Sequence, residues 1–539
     1  MRPMNAPYPS APAAVPPDLA KPTPSHRRHT LAAFGALVAF LLLYLGLAAW
    51  FGFTAWRLAM GAWTSPDGFF GYVLAVPPLF LFAFLVKGLF FVRKGDIGDA
   101  IELRPEDEPA LFSFIHRVAD EAGAPRPHRV FLTPDVNASV FYDLSLRNLV
   151  WPSRKNLNIG LGLVNVLTLD ELKAVLAHEF GHFAQREMAL GTWVYVARQA
   201  IGAVVARRDG FDRFLDGLSR VDLRLAWIGW GMRVIVWSIR VVLDTAFRGL
   251  VVLERALSRE MEFQADLVSV SLCGSDSLVH GLRRIGPADD AMTRAMAFAT
   301  SEGRAGRPIA DLYAVQTGML AKMRAMWNDP SLGEVPPRPE HAAAAHRVFS
   351  RGIAEVPRMW ATHPPSHERE ENAKARYVPS VLDPRPAWEV FADAAATRRR
   401  MTARLYAENM PEAAKAEVAP EADTRARLDE AFTRPALDPA WRGVYVGRSA
   451  VRGVRGYKDL FGPVPEDPDA VRAALDALYP DTIVETLRAW RDAESQVSQL
   501  EALQKGLLTA PGGVIRFRGR TIPRRDLAGV LAEARADRD

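Results

Sequence analysis

Cysteine is nearly absent from this chain: Cys273 stands alone among 539 residues. No intramolecular disulfide can form, which suits a reducing compartment. Cys273 follows an apolar run and reads as a small core residue rather than a nucleophile. A strong charge imbalance is lacking too. The excess of +5 is small and spread along the chain, so it gives no argument for nucleic acid as a partner. No internal repeat is present. Charge is missing altogether from residues 31–53, a run long enough to cross a hydrocarbon layer as a helix.

Residues 69–92 form a second such run, with Lys87 as its only charge, near the end where it can snorkel. Pro77 and Pro78 are expected to kink it. Arg27 and Arg28 precede the first run, and Arg93 and Lys94 follow the second. A connecting loop from about Thr54 to Gly68 carries one Arg and one Asp. The positive-inside rule then places both ends in the cytoplasm. The expectation is an integral protein of a bacterial-type inner membrane, with everything after the hairpin on the cytoplasmic side. The first run is too long and starts too late for a cleaved signal peptide. Residues 1–28, rich in Pro and Ala, are expected to be disordered, and residues 29–95 to form the two-span hairpin.

The chemistry concentrates in His178-Glu179-Phe180-Gly181-His182. Residues 169–177 before it carry apolar side chains at helical spacing and an acidic first turn, so the motif lies in a helix. Two imidazoles four residues apart project from one face and can fill two corners of a zinc tetrahedron. Glu179, offset around the helix, can reach a water on the metal without being a ligand. A catalytic zinc needs a third ligand and an open position. Glu262 and Asp266 are four apart on another helical segment. Glu262 could close the site while Asp266 accepts the free N–H of a ligating imidazole. Glu254 and Glu260 are rival carboxylates, but neither has an acid four residues on. An ordinary solvated acidic face is the plain alternative for this pair.

These motifs together resemble the membrane zinc endopeptidases of the HtpX and CaaX-prenyl-protease type. HEFGH followed by SREMEFQAD matches that family's HExxH and SRxxExxAD. The resemblance, over roughly residues 100–380, implies one Zn2+ per chain held by His178, His182 and Glu262. It gives Glu179 as catalytic base and Asp266 as the partner of a ligand. His363-Pro364, with Arg369 six residues after the His, falls on the family's His-Pro and Arg. It implies that His363 and Arg369 assist the oxyanion, against a plainer reading in which Arg369 makes an internal ion pair. Asn137-Ala138 matches the family's Asn-Ala beside the cleft and implies a substrate contact for Asn137.

The fold expected is α+β and mostly helical, a zincin-like metallopeptidase domain over residues 96–384. Residues 97–125 read as an amphipathic helix, and 129–133, 138–142 and 156–160 as short strands. An edge strand of that sheet can pair with an extended substrate backbone. Within an insertion at 189–253, segments 190–206 and 225–253 are apolar. However, Arg198 interrupts the first, and Arg233, Arg240, Asp244 and Arg248 the second. The loop between them carries five arginines from Arg207 to Arg224. Helices packed on the core or lying in the membrane interface are favoured over two more spans. Residues 329–346 read as a connector in which His341 and His346 have no metal partner. Residues 385–539 read as a separate, mostly helical region with no catalytic motif and a possible protein partner. The partners expected are polypeptide substrates and a lipid bilayer. The leading reading is a membrane-anchored zinc endopeptidase of membrane protein quality control. A CaaX-type processing protease predicts more clean spans than are seen. A non-enzymatic scaffold has no use for a carboxylate such as Glu179.

Overall fold

A computed structural model of the protein describes residues 7–64, 68–87, 100–142, 155–184, 194, 223–339, 341–354, 363–433, 438–446, 467–480 and 482–539. The fold is α+β and mostly helical, as expected.

The two apolar runs form an antiparallel hairpin of α1 (Pro24–Trp63) and α2 (Gly68–Lys87). Pro24 takes the first helical position of α1, and Thr23 Oγ1 caps it by accepting from His26 N at 3.1 Å. The expected loop from Thr54 is instead three more turns of α1, because no residue before Trp63 breaks a helix and Thr64 closes its end. Across the hairpin, Tyr44 Oη donates to Leu85 O at 2.6 Å. The helix of α2 runs through Pro77 and Pro78.

The segment 225–253 does not stop where the sequence reading ends it. It belongs to α6 (Leu223–Cys273), one helix of 51 residues that also carries Glu262 and Asp266. At 1.5 Å per residue this is about 75 Å long. No proline interrupts it, and Gly274, at φ 85°, ends it. α6 runs antiparallel to α1, with the Phe247 ring 5.8 Å from that of Phe40 and Glu260 Oε1 accepting from Ser25 Oγ at 2.8 Å. Leu37, Phe40 and Tyr44 of α1 share one buried cluster with Val236, Leu243 and Leu250 of α6. The segment therefore packs lengthwise on the hairpin rather than on the peptidase core. Of its basic stripe, Arg240 lies 5.2 Å above the Phe84 ring, and Arg248 pairs with Asp244 at 2.7 Å. Most of segment 190–206, and arginines 207, 208, 213 and 220, lie outside the described residues.

The expected helix over 97–125 resolves into strand β1 (Ile101–Leu103) and helix α3 (Pro109–Glu121). Pro105 and Pro109 bar a longer helix, and Ile101 and Leu103 alternate inward about exposed Glu102. With β2 (Val130–Thr133), β3 (Ala138–Tyr142) and β4 (Lys155–Gly160), β1 makes a sheet of order β1-β2-β4-β3. β2 and β4 are parallel, while β1 and β3 join as antiparallel edges. A short helix α4 (Leu161–Val164) leads to α5 (Leu169–Ala184). The N-terminus of α5 carries half of a capping box, Glu171 Oε2 accepting from Thr168 N at 2.9 Å. α7 (Ser275–Arg304), α8 (Leu312–Trp327) and α9 (Ser366–Lys374) complete the layer around it.

Two expected boundaries are not seen in the packing. Residues 7–22, expected to be disordered with the rest of 1–28, lie along the peptidase core. The Tyr8 ring is 5.1 Å from that of Phe114, and Tyr8 Oη donates to Glu121 at 2.6 Å. Leu19 is buried, Asp18 pairs with Arg376 at 2.8 Å, and Gln264 of α6 donates to Ala20 O. Prolines limit the freedom lost on docking, so a few anchors suffice. At the other end, the core crosses the expected division at 384/385. Ala387, Val390, Met401, Tyr406 and Leu428 share the buried cluster of α5, and Ala387 N donates to Leu167 O at 3.0 Å. Met401 and Tyr406 lie on α10 (Ala394–Asn409), and Leu428 on α11 (Glu421–Ala431). Beyond α12 (Pro468–Leu478), a second small core joins α13 (Thr482–Gln504), α14 (Leu527–Arg538) and the strands β5 (Ile515–Phe517) and β6 (Arg520–Ile522). Arg518 and Gly519, at φ 50° and 77°, turn this hairpin, as a two-residue connection requires.

Candidate metal centre

α5 and α6 cross where two small residues meet. A Cβ on Gly181 would lie 2.9 Å from Ala265 Cα, so only glycine allows this approach. Ser269 Oγ, one turn beyond Ala265, donates to Ala174 O at 2.7 Å and fixes the crossing. The crossing sets Glu262 opposite the two imidazoles. Glu262 Oε2 lies 3.5 Å from His178 Nε2, Glu262 Oε1 lies 3.4 Å from His182 Nε2, and the two Nε2 atoms are 3.2 Å apart. One ligand atom from each of the three residues lies within 4.8 Å of the others.

The surroundings decide which atoms are free to bind. Asp266, wholly buried, holds His178 Nδ1 at 3.0 Å, which assigns the proton to Nδ1 and leaves the Nε2 lone pair facing inward. Arg369 of α9 grips the same carboxylate in a fork, Nη2 to Oδ1 at 2.5 Å and Nε to Oδ2 at 3.0 Å. Burial alone would push the Asp266 carboxyl up, but the Arg369 charge and the His178 hydrogen bond hold it below its ordinary value. Burial likewise opposes a charge on Glu262, yet the imidazoles of His178, His182 and His363 beside it keep it well below the carboxylate range. Burial and Arg369 oppose a charge on His178 as well. Asp266 and Glu262 outweigh them and raise its pKa to about 9. Burial raises the pKa of Glu179, against the two imidazoles that lower it.

This donor set fits a zinc ion. Glu262 Oε2 is buried with no hydrogen bond, 3.5 Å from His178 Nε2 and 4.0 Å from Arg369 Nη1, and each imidazole can offer a lone pair to an ion on giving up its Nε2 proton. The carboxylates around them favour positive charge at that point. Two nitrogens and one carboxylate oxygen are the open three-ligand set that zinc accepts in catalytic sites.

The structure brings the remaining sequence candidates to the same cleft, a cavity of about 460 Å³ bordered by Asn137, Glu179, His363 and Arg369. His363 is exposed, at 64 %, with Nδ1 3.0 Å from Glu262 Oε1. Asn137 stands exposed at the start of β3, its carbonyl accepting from Gly160 N at 2.7 Å. Arg369 is buried and committed to Asp266, the internal ion pair that its sequence context also allowed. Sequence reasoning missed the other wall of the cleft. Leu278, Leu282 and Ile285 of α7, spaced four and three residues apart, line it with Val175 of α5. Their helical spacing was visible, but nothing in it named the cleft as their destination. Glu254 does not join the ligand group, and Glu260 points instead to Ser25 and His29.

With this geometry in place, comparison with known proteins is decisive on ancestry. Residues 105–377 match the Peptidase family M48 over half of the chain. The chain belongs to peptidase family M48. All the ligand candidates fall inside the M48 match. The chain is 29 % identical over 185 residues to a Protease HtpX homolog of Nostoc punctiforme, covering 33 % of this chain and 57 % of that relative. It is 28 % identical over 250 residues to Protease HtpX of Histophilus somni, covering 44 % and 77 %. To Protease HtpX of Shewanella denitrificans it is 26 % identical over 254 residues, covering 44 % and 80 %. The chain thus spans little more than half of the first of these M48 relatives. No solved structure matches it.

Proposed function

We propose that this protein is a membrane-anchored zinc endopeptidase that hydrolyses peptide bonds of exposed or misfolded polypeptides, in the service of membrane protein quality control. The observation that carries the reading is the convergence of Glu262 with His178 and His182, beside a carboxylate, Glu179, that is not a ligand. A purely structural site needs no such base.

His178, His182 and Glu262 would hold the ion. When bound, zinc supplies Lewis-acid polarisation of the scissile carbonyl and acidifies a water. Glu179 receives the proton of the attacking water and returns it to the leaving amine; burial, which raises its pKa, favours holding the proton between the two transfers. His363, exposed and 3.0 Å from Glu262, is placed to donate to the developing oxyanion. Asp266, clamped by Arg369, keeps His178 in the binding tautomer. β3 is an edge of the sheet and borders the cleft through Ala138, so an extended substrate can add to it as a further strand, with Asn137 at the rim.

The membrane setting rests on large apolar side chains that face outward. Trp50, Phe53, Trp56 and Trp63 of α1, Phe69 and Phe70 of α2, and Trp237 of α6 are all more than half exposed. In water such a surface would be an aggregation hazard; in a bilayer it is the solvated one. Arg27 and Arg28 at the start of α1 favour a cytoplasmic cleft in a bacterial inner membrane.

The test uses full-length protein in detergent, with bound zinc measured by atomic absorption and cleavage of casein followed for wild type and Glu179→Gln. The expected result is zinc in both proteins and a loss of about 10²- to 10⁴-fold in rate for the variant. Zinc-loaded wild type that cuts nothing would turn the reading toward a scaffold.

A further inference from the structure

The lining of the cleft carries two chemistries. Its charged or titratable residues are His178, Glu179, Glu262, His363 and Arg369, and its apolar ones include Val136, Leu163, Val175, Leu278, Leu282 and Ile285. Four of the apolar residues come from two helices. Val175 lies four residues before Glu179, so it stands on the same face of α5, one turn toward the N-terminus. Leu278, Leu282 and Ile285 follow one stripe of α7 opposite it. Leu278 is 2 % exposed and belongs to the floor, while Val175, Leu282 and Ile285 remain half-buried, packed against the core yet open to the cleft. Gly286 keeps the mouth wide: it is exposed, and a Cβ there would meet nothing within 4 Å outside its chain neighbours. The cavity, about 460 Å³, is large enough to take a bulky side chain of a peptide.

We propose that Val175, Leu282 and Ile285 determine specificity by taking one bulky apolar side chain, of leucine, methionine or phenylalanine size, next to the bond that is cut. This rests on the proteolytic reading above. A charged side chain on that side of Glu179 would leave water for an apolar wall with no partner, which is costly. A small side chain would leave the wall wet and forgo the burial of apolar area that anchors the substrate. The pocket thus adds a side-chain preference to the main-chain pairing that β3 offers.

The experiment maps the cleavage sites of unfolded casein by mass spectrometry for the full-length zinc-loaded protein, alongside Ile285→Phe, which fills the pocket, and Leu282→Ala, which enlarges it. Wild type is expected to cut with large apolar residues enriched at one fixed position relative to the bond. In peptides varied at that position, Ile285→Phe should shift the ratio of kcat/KM for Phe over Ala downward by roughly 10- to 200-fold, and Leu282→Ala should shift it the other way. Zinc content and thermal melting report whether each variant is folded; if Ile285→Phe is not, Leu282→Ala decides by itself. A wild-type map with no apolar enrichment, or folded variants that keep the wild-type ratio, overturns the proposal. If the zinc-loaded wild type cuts nothing, the proteolytic reading itself fails, and the proposal with it.

Discussion

Between Met232 and Leu257, every described buried side chain of α6 is apolar, and large apolar residues also face outward, Trp237 at 64 % and Val242 at 50 % exposure. A turn and a half later the same helix buries Glu262, Gln264, Asp266 and Ser269. Nothing in helical geometry changes between these halves; what changes is what they meet. The first half faces the hairpin, which offers hydrocarbon. The second faces α5, α9 and the N-terminal segment, which offer carbonyls, imidazoles and a guanidinium. Asp266 is held by His178 and Arg369, Ser269 by Ala174 O, and Gln264 by Ala20 O. A buried polar group is tolerated where a partner is built for it. Glu262 Oε2 has charged neighbours but no hydrogen bond, as suits an oxygen left for an ion.

The difference between the halves can be broken at its polar end first. Asp266→Ala removes the acceptor of His178 Nδ1 and leaves the buried Arg369 guanidinium with only Glu262, 4.0 Å away. Zinc affinity is expected to fall about 10- to 100-fold, and stability by about 3–5 kcal/mol; chelator competition and thermal melting measure the two. The apolar end should behave in the opposite sense. Leu243 is fully buried against the hairpin, 19 residues from Glu262, or about 28 Å along the helix. Leu243→Ala is expected to cost about 2–5 kcal/mol through the cavity it leaves, with zinc affinity unchanged because the sites share no partner. An equal loss of zinc affinity in both variants would erase the distinction.

The smallest effect sharpens the comparison on α7, where a buried polar residue belongs to a network away from His178, His182 and Glu262. Burial, with Lys374, Arg284 and Arg338 nearby and against Asp276, lowers the pKa of His280 from 6.5 to about 4. The folded protein therefore holds it neutral, while the unfolded chain protonates it near 6.5. Its share of stability is complete above 6.5, declines as pH falls, and is gone once pH passes below 4. Urea titrations between pH 7 and 4 should show a smaller decline for His280→Gln than for wild type. An unchanged slope would remove His280 from the acid response.

Much of the site was legible because its chemistry is local. HExxH sets two candidate ligands and a candidate base within one turn and a half, and ExxxD a further candidate ligand and an acceptor for its neighbour, whatever the tertiary fold around them. The strands after Arg129 were legible as well, through short β-branched and aromatic runs. The start of the domain was misread where Pro105 and Pro109 outweighed an apparent helical period. The N-terminal segment was misread because composition reports the lack of a core of its own, not the availability of a foreign one. Tyr8 and Leu19 find theirs on α3 and the rest of the peptidase core. The division at 385 failed for a related reason, since helices rich in charge still lend Met401, Tyr406 and Leu428 to the common core.

By itself, then, the sequence determined the candidate donors and the candidate base, the apolar hairpin and the mostly helical α+β class, since each depends on spacing within one segment. Only the tertiary structure decided that one helix would join the apolar hairpin to the candidate metal centre, that Arg369 would pair with Asp266, and that Val175 would line one cleft with Leu282 and Ile285. These pairings join residues far apart in the chain. The crossing of α5 and α6 depends further on how closely Gly181 lets α5 approach Ala265, a distance that no local pattern carries.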